Sequence, residues 1–375
     1  MSLNTSLLEL RPAVGCIGNN ILDARPRKVL FRGVKYSVRE FSKSQVDKAG
    51  ARLARPQAWN EDADIDTALE IINNFRSAHN LPLLVFRVDL TLRARKIDKT
   101  STVAQRLKRL PAIEAKLRRL SSMRLTQMED VGGCRAVVRT VGMVRRLSNM
   151  YEKSKTKHKR LHVVDYLKEP LHTGYRGIHL IYAYYSATKP GYNGLKIEIQ
   201  IRSRQQHAWA TAVETVDAFT GQGIKDGRGD IKWRRFFALM GTYIASKEGC
   251  DPVPNTPTDQ KTLRDEIVRH AEELDVMNYL QSYRATLQLQ TMPNAHFYLI
   301  ELDASKGQTS IIGFKKNQLE EAQEVYLTVE KEVADQPGRD VVLVSVGSLE
   351  SLKRAYPNYF ADTDVFLGIL QEAIS

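Results

Sequence analysis

Two acidic residues in the middle of the chain have the side-chain type and the setting of metal ligands. Asp130 comes just before a predicted strand over residues 134–140, and Glu198 lies in the alternating stretch Lys-Ile-Glu-Ile-Gln-Ile-Arg. Because side chains of a strand alternate between its faces, Glu198 shares a face with Gln200 and Arg202. Mg²⁺ is usually held by one or two carboxylates together with substrate phosphates. The pair predicts a magnesium site if the two strands are neighbours; a solvated strand face is the alternative for Glu198.

A basic cluster that precedes Asp130 is suited to binding a polyphosphate. Residues 100–120 are predicted to be helical, with a kink or a break at Pro111. Several cations recur within about two helical turns and would converge on one side. Such groups neutralise phosphates and stack on bases, whereas the alternative is a solvated basic face. The cluster comprises Arg106, Lys108, Arg109, Lys116, Arg118 and Arg119.

A glycine-bracketed loop carries an aromatic residue into a predicted strand. Gly174 and Gly177 flank Tyr175 and Arg176 near the end of Asp-Tyr-Leu-Lys-Glu-Pro-Leu-His-Thr-Gly-Tyr-Arg-Gly-Ile-His. Glycine allows the backbone to come close to a ligand, and an aromatic ring offers a stacking surface for a purine. The loop therefore predicts a base-binding platform at Tyr175, with an ordinary hairpin turn as the alternative.

The elements that would position these residues form an α/β (α+β) domain with a mixed central sheet and flanking helices. Residues 1–60 look irregular. Helical spacing of apolar residues predicts helices over residues 64–79, 145–151, 205–219 and 233–246. Alternating or apolar runs predict strands over residues 134–140, 162–167, 178–186 and 195–202.

A proline-rich linker divides the chain into a body and a tail. Residues 251–259 read Asp-Pro-Val-Pro-Asn-Thr-Pro-Thr-Asp, which is typical of a linker, and they predict domains over 1–255 (the body) and 256–375 (the tail). The body has a net charge of +21 and the tail of −8. A basic body suggests a phosphate-rich partner, and the tail could be held to it in cis; unrelated surface charge is the alternative. In the tail we predict helices over 261–287, 317–333 and 364–374 and strands over 296–302, 309–314 and 341–346.

The composition argues against membrane, secreted and zinc-binding proteins. No apolar run approaches the roughly 18 residues of a membrane helix, and the N-terminus lacks the pattern of a signal peptide. Cys16, Cys134 and Cys250 are isolated, so we predict neither a disulfide framework nor a zinc site. These features predict a cytoplasmic protein without membrane contacts.

The motifs together resemble the synthetase domain of the RelA/SpoT family, in order and spacing, over residues 64–214. The resemblance is carried by Phe-Arg-Ser-Ala-His-Asn-Leu-Pro-Leu, Arg-Leu-Lys-Arg-Leu-Pro-Ala-Ile-Glu-Ala-Lys-Leu, Glu-Asp-Val-Gly-Gly-Cys-Arg, the tyrosine loop, and Glu-Ile-Gln-Ile-Arg-Ser with Trp-Ala-Thr-Ala-Val-Glu. It implies a pyrophosphokinase that transfers the β,γ-diphosphate of ATP to a ribose 3′-hydroxyl, with Mg²⁺ as cofactor.

On the ATP side the resemblance implies that Arg106 stacks on the adenine. Lys116 would contact the phosphates, and Lys108 and Arg135 would help to neutralise them. The chain departs from the family at Ala112, where a serine is usual, so one phosphate contact is lost.

On the acceptor side the resemblance implies that Asp130 and Glu198 bind Mg²⁺ and that Glu198 also takes the proton of the attacking hydroxyl. The loop before the tyrosine departs from the usual Pro-Lys-Pro-Asn-Gly-Tyr, which leaves the choice of acceptor open. The residues lining the acceptor site would be Tyr175, which stacks on the base, with Lys168, His179, Gln200 and Arg202.

Acceptors differ within the family. Housekeeping members modify GDP or GTP, whereas a toxic branch of small synthetases makes adenosine alarmones or modifies the 3′-CCA end of tRNA and blocks translation. We favour tRNA, because a basic block beside the predicted site suits an acceptor stem. A nucleotide acceptor and a non-catalytic RNA-binding protein are the alternatives. The block comprises Lys153, Lys155, Lys157, Lys159 and Arg160.

The tail resembles the antitoxin region of CapRel-type fused toxin–antitoxin proteins. There a zinc-finger-like fold without zinc ligands follows the synthetase; this tail has no cysteine and only His270 and His296, so its packing is expected to be metal-free. The resemblance implies that Tyr356 and Tyr359, in a Tyr-x-x-Tyr motif, block the ATP site over Arg106. It also implies an anti-phage role in which a phage capsid protein is the partner that releases the enzyme.

Overall fold

The computed structural model describes residues 36–55, 62–224, 227–282, 286–290, 295–303, 305–333, 336, 338–345, 349–360 and 363–375. Lys35–Ser375 forms one compact unit. The part of the irregular N-terminal stretch before residue 36 lies outside the described residues, as does Cys16. Lys43–Leu53 is a helix rather than irregular, because Ser42 and Gln45 form a capping box at its start.

Helices and strands alternate through the body and recur in the tail. The helices are α1 (Lys43–Leu53), α2 (Asp62–Ala78), α3 (Asn80–Ile97), α4 (Leu110–Arg119), α5 (Val141–Glu152), α6 (Arg204–Thr220), α7 (Ile231–Glu248), α8 (Gln260–Glu273), α9 (Val276–Ser282), α10 (Leu319–Val333), α11 (Leu349–Ala355) and α12 (Asp364–Ile374). The strands are β1 (Thr102–Leu107), β2 (Gly132–Val138), β3 (Lys159–Asp165), β4 (Ile178–Ala183), β5 (Lys196–Ser203), β6 (Thr286–Gln290), β7 (Phe297–Asp303), β8 (Gln308–Phe314) and β9 (Arg339–Ser345). Of the helices that the structure describes, none combines the length and apolar character needed to cross a membrane.

The described strands form one mixed sheet in the order β3-β4-β5-β2-β1-β9-β7-β8-β6. The pairs β2–β5 and β6–β8 are parallel, and the other neighbours are antiparallel. This arrangement, with helices packed against it, confirms the predicted mixed α+β fold with a central sheet. The zinc-finger-like fold of the tail stays a prediction.

The alternating side chains of β5 show which face of the sheet packs into the core. Ile197, Ile199 and Ile201 are fully buried in a cluster with apolar residues of α2, α3, α4 and α5. Burial of each such side chain stabilises the fold by about 1.5–3 kcal/mol. The intervening side chains of β5 must therefore project from the opposite face.

Strand pairing and helix packing both join the tail to the body. Strand β9 extends the body's sheet, but it pairs with β1 through only two register positions, Gln105 with Ser345 and Arg106 with Val344. Helices α8, α9 and α12 share a second apolar cluster with α6 and α7, in which Phe366 lies against Phe237. The boundary at residue 255 stays a prediction, since body and tail share one sheet.

Further elements of the structure differ from the sequence prediction. Residues 102–107 form a strand, so the predicted helix over 100–120 was wrong in its first half; Pro111 lies in the first turn of α4, where proline is favoured. Helix α3 was not predicted, because buried apolar residues lie around much of its circumference and its polar residues form no stripe along one side. The helix predicted over 261–287 divides into α8 and α9, and β6 begins at Thr286.

Candidate active site

Two rows of side chains cross the open face of the sheet. One row aligns Arg106 of β1 with Gly133 of β2 and Glu198 of β5. The next row aligns three polar side chains on adjacent strands. Directly opposed residues of neighbouring strands project from the same face, so this register gathers polar residues distant in sequence. The second row is Arg135 of β2, Gln200 of β5 and His179 of β4.

Both oxygens of the Glu198 carboxylate are held by neighbours. His179 Nδ1 lies 2.8 Å from Oε1, and Gln200 Nε2 donates to Oε2 at 2.7 Å. Burial opposes ionisation of Glu198, but the charge and the hydrogen bond of His179 outweigh it, and the pKa of Glu198 is lowered. Burial likewise disfavours the His179 cation, but Tyr175 and Glu198 raise its pKa to about 9. The carboxylate is therefore ionised and fixed in direction.

The ring of Tyr175 is fixed by the same network. Its hydroxyl lies 2.6 Å from His179 Nε2 and accepts a hydrogen bond from Arg202 Nη2 at 2.9 Å. Burial raises the pKa of Tyr175, but Arg202 and His179 reverse the effect and lower it. Gly174 has a φ of +98°, and a Cβ there would lie 2.7 Å from the carbonyl oxygen of Phe237, so the loop requires glycine at this position.

A second ionic cluster lies at the start of β2. Lys108 Nζ donates to Asp130 Oδ2 at 2.8 Å, and Lys116 Nζ of α4 donates to Oδ1 at 2.9 Å. Burial opposes ionisation of Asp130, but the two ammonium groups lower its pKa well below the usual range. Asp130 is also close enough to raise the pKa of Glu198 through charge repulsion. The cluster and the Glu198 network are thus neighbours.

The two carboxylates fit a hard divalent cation. Asp130 and Glu198 offer four oxygen atoms near one another, the donor type that Mg²⁺ prefers. Each oxygen now accepts a hydrogen bond from Lys108, Lys116, His179 or Gln200. The lysines would have to turn from Asp130 toward substrate phosphates when a cation binds, which suits a site that receives metal and polyphosphate together.

Residues of the tail cover the predicted ATP side. Arg135 donates to the carbonyl oxygen of Ala355, and its guanidinium lies 5.4 Å from the centre of the Tyr356 ring. The Tyr356 hydroxyl donates to the Gln105 carbonyl oxygen at 2.9 Å. Tyr356 therefore lies against Arg135 rather than over Arg106, where the sequence placed it.

The second tyrosine of the motif is also buried. Tyr359 is 3% exposed, and it interacts electrostatically with Arg106 and Arg109. Arg109 also pairs with Asp340 of β9. The tail thus contacts three arginines that flank the ATP side.

Several residues singled out in the sequence lie apart from this face. Arg118 is exposed and pairs with Glu114 within α4, Arg119 is exposed next to it, and Lys168 is exposed on the loop after β3. The basic block is exposed and runs from the end of α5 into β3, the edge strand beside β4. Its members are Lys153, Lys155, Lys157, Lys159 and Arg160.

No role was predicted for Arg76, although it lies in the Phe-Arg-Ser-Ala-His-Asn-Leu-Pro-Leu segment. Arg76 is 2% exposed, and it donates to Glu330 of α10 through Nη1 at 2.8 Å and through Nη2 at 3.0 Å. Its Nε donates to the carbonyl oxygen of Lys108 at 3.1 Å. A cation predicted on the buried side of a helix was the available signal, because such a cation needs a partner.

Comparison with known proteins bears on the same segment. Residues 105–217 match the family model described as a region found in RelA/SpoT proteins. The small alarmone synthetase 1 of Bacillus subtilis, solved with its product pppGpp, is 22% identical to this chain. The match covers 46% of this chain and 90% of the Bacillus protein, with a TM-score of 0.39. A GTP pyrophosphokinase family protein from Streptococcus pneumoniae is 20% identical, with coverages of 46% and 86% and a TM-score of 0.39. No curated protein matches the chain.

The matched segment contains the polar rows of the sheet and the ionic cluster at Asp130. The TM-scores are below 0.5, so the similarity rests on the family model. Residues 105–217 of the chain are therefore similar to a region found in RelA/SpoT proteins.

Proposed function

We propose that the chain transfers the β,γ-diphosphate of ATP to the 3′-hydroxyl of a tRNA 3′-CCA end. The observation that supports the transfer most directly is the shared face on which the ionic cluster of Asp130 adjoins the carboxylate of Glu198. One group of residues there suits a polyphosphate and the other suits a hydroxyl and a base. Reaction between two substrates gains mainly from their being held in the correct geometry.

The donor side would bind ATP through its cations. Arg106 offers a guanidinium plane for the adenine, and Arg135 would help to neutralise the phosphates. Lys108 and Lys116 would turn from Asp130 to the phosphates. Charge neutralisation of this kind dominates catalysis of phosphoryl transfer. A magnesium ion held by Asp130 and Glu198 would add positive charge at the phosphate oxygens.

The acceptor side would position the attacking hydroxyl. Tyr175 provides a ring for the terminal base, and the ionised carboxylate of Glu198 accepts the proton of the 3′-hydroxyl. His179 and Gln200 keep that carboxylate aimed at one point. The oxygen attacks the β-phosphorus of ATP, the bond to the α-phosphate oxygen breaks, and AMP leaves.

The basic block favours RNA as the acceptor. Its five cations are exposed at the start of the edge strand β3 and just before it, and Lys159 and Arg160 pair with Ala183 and Tyr182 at the end of β4 away from His179. The body's net charge is strongly positive. Cations of this kind contact phosphates of a stem without reading its sequence. A guanosine or adenosine nucleotide is the second candidate, since the Bacillus synthetase binds pppGpp as its product. A non-catalytic RNA-binding role would leave the ionised Glu198 without use.

The tail would act as an attached inhibitor. Arg135 donates a hydrogen bond to Ala355 and lies against the Tyr356 ring, and Tyr359 lies near Arg106. ATP and the tail would therefore compete for the same guanidinium groups. In this proposal the chain is a fused toxin–antitoxin of anti-phage defence in the cytoplasm, and a phage capsid protein that binds the tail shifts the population toward the open form.

The test is incubation of the purified chain with ATP labelled at the γ-phosphate and with GDP, GTP, AMP or total tRNA. Labelled tRNA sensitive to 3′-end removal supports the proposal, and label confined to a nucleotide supports the second candidate. A chain that labels no acceptor with or without phage lysate would contradict the transferase proposal.

The basic block offers a sharper variant of this test. Replacement of its four lysines by alanine should weaken tRNA modification and make it less sensitive to salt, because fewer counterions are released on binding. Equal salt slopes for variant and wild type would contradict RNA binding at the block. The lysines changed are Lys153, Lys155, Lys157 and Lys159, and a control with equal charge loss changes the exposed Lys43, Lys48, Lys232 and Lys261.

A further inference from the structure

A cavity of about 220 Å³ lies behind the loop that carries Tyr175. Trp209 and Val213 of α6 and Phe237 of α7 form an apolar wall, while His172 and Arg234 lie among its polar lining residues. Apolar walls with a few polar groups at the rim are the usual make-up of a ligand site. The volume suits one nucleobase, whose sugar and phosphate would remain outside.

The cavity adjoins the acceptor platform. Trp209 lies between the two, because it lines the cavity and its ring meets the ring of Tyr175 edge-on, with centroids 6.4 Å apart. Its Nε1 donates to the Phe237 carbonyl oxygen at 2.8 Å, which fixes the indole. Because His172 and Thr173 line the cavity and are followed at once by Gly174 and Tyr175, a strand that leaves Tyr175 along the loop reaches the cavity next.

The rim is basic where a phosphate would pass. Arg235 is fixed by Glu266 at 2.7 Å and by the carbonyl oxygen of Asn255 at 2.6 Å. Arg234, beside it on α7, is half-buried at the rim, and no ion pair involves it among the residues that the structure describes. A guanidinium in this position suits the phosphate that joins two nucleotides.

We propose that this cavity binds the base of the nucleotide that precedes the reacting 3′-terminal nucleotide of an RNA acceptor. Arg234 contacts the connecting phosphate. The inference rests on the proposed tRNA acceptor, because a mononucleotide has no preceding base. It makes the cavity a specificity site, which separates an RNA end from a free nucleotide.

The test measures binding of a 5′-fluorescein-labelled CCA trinucleotide to the full chain by fluorescence anisotropy, with unlabelled AMP as competitor. Ala238→Leu narrows the cavity, and Arg234→Glu reverses the rim charge. Each variant should weaken trinucleotide binding by about fivefold or more, as loss of one stacked base does. The dissociation constant of AMP should stay unchanged. Lys232→Glu is the matched control on α7, since Lys232 pairs with Glu273 of α8 and is absent from the cavity lining.

The outcomes separate the two proposals. Parallel weakening of both ligands, or no change for Arg234→Glu relative to Lys232→Glu, overturns the cavity as a base subsite while the RNA acceptor stands. Wild-type binding of the trinucleotide no tighter than of AMP overturns the RNA acceptor itself, and the subsite with it. Melting temperatures identify any variant that fails to fold. If Ala238→Leu fails to fold, the rim variant Arg234→Glu tests the base subsite.

Discussion

Replacement of Glu330 by glutamine is expected to detach the tail from the body. Glu330 is buried on α10, where its carboxylate accepts two hydrogen bonds from Arg76 and one from the backbone amide of Leu110 at 2.8 Å. The hydroxyl of Tyr326 donates a further bond at 2.5 Å. The body supplies the guanidinium and the amide, and the tail supplies the carboxylate, so this network is a direct measure of docking.

The magnitude follows from burial. The side chains of Arg76 and Glu330 are 2% and 4% exposed. Removal of one partner from a buried ion pair leaves the other charge uncompensated and costs about 3–5 kcal/mol. A cost of this size shifts a docking equilibrium by roughly 10²- to 4 × 10³-fold, given about 1.4 kcal/mol per factor of ten.

The assay combines urea unfolding with hydrogen exchange. Glu330→Gln should lower the unfolding free energy by the stated amount and expose the amides of α10 first. Arg76→Met with Glu330→Leu should recover most of the loss, because apolar residues of similar volume replace a buried pair well. The matched control is Lys331→Gln, since Lys331 pairs with Asp66 across the same boundary but both side chains are exposed. An effect of Glu330→Gln no larger than that of Lys331→Gln would refute the reasoning.

Three further outcomes are expected. Glu198→Gln should reduce transfer by at least about 10²-fold in a chain that still folds, because the proton acceptor is lost; near-normal turnover would remove Glu198 from the site. Tyr356→Ala combined with Tyr359→Ala should tighten ATP binding, measured by calorimetry, and make the chain toxic to cells without a trigger, unless it also carries Glu198→Gln; unchanged ATP affinity and normal growth would contradict the plug. The pKa of His179 is about 9, above its ordinary 6.5, so its stabilising effect is complete below pH 6.5 and is lost as the pH rises through 9. Metal-free unfolding of wild type and of His179→Gln should therefore converge at high pH, and a constant difference from pH 6 to 10 would be evidence against the ion pair.

The sequence predicted the parts of the fold that depend on local periodicity. Ile197, Ile199 and Ile201 define the buried face of β5, and this alternation correctly placed Glu198 and Gln200 together on the other face.

Features that depend on distant partners could not be predicted in this way. Nothing near Arg76 indicates that its partner is Glu330, 254 residues away. Arg106 was assigned to a helix because charged residues dominate its neighbourhood, whereas its strand is stabilised by pairing with β2 on one side and β9 on the other. Pairing partners are a property of the folded chain, and local propensity does not report them.

Strand β1 of the body pairs with β9 of the tail at two register positions, and this pairing has a consequence during protein synthesis. Ribosomes add about 5–20 residues each second, and N-terminal domains fold first. At the same rates, the body would therefore be complete some 6–24 s before synthesis of the tail ends. During that interval the edge of β1 and the guanidinium of Arg135 have no cover. In the proposal that the tail inhibits the body, a ribosome that stalls within the tail would hold a body without its inhibitor, and events that slow translation would raise the uninhibited fraction.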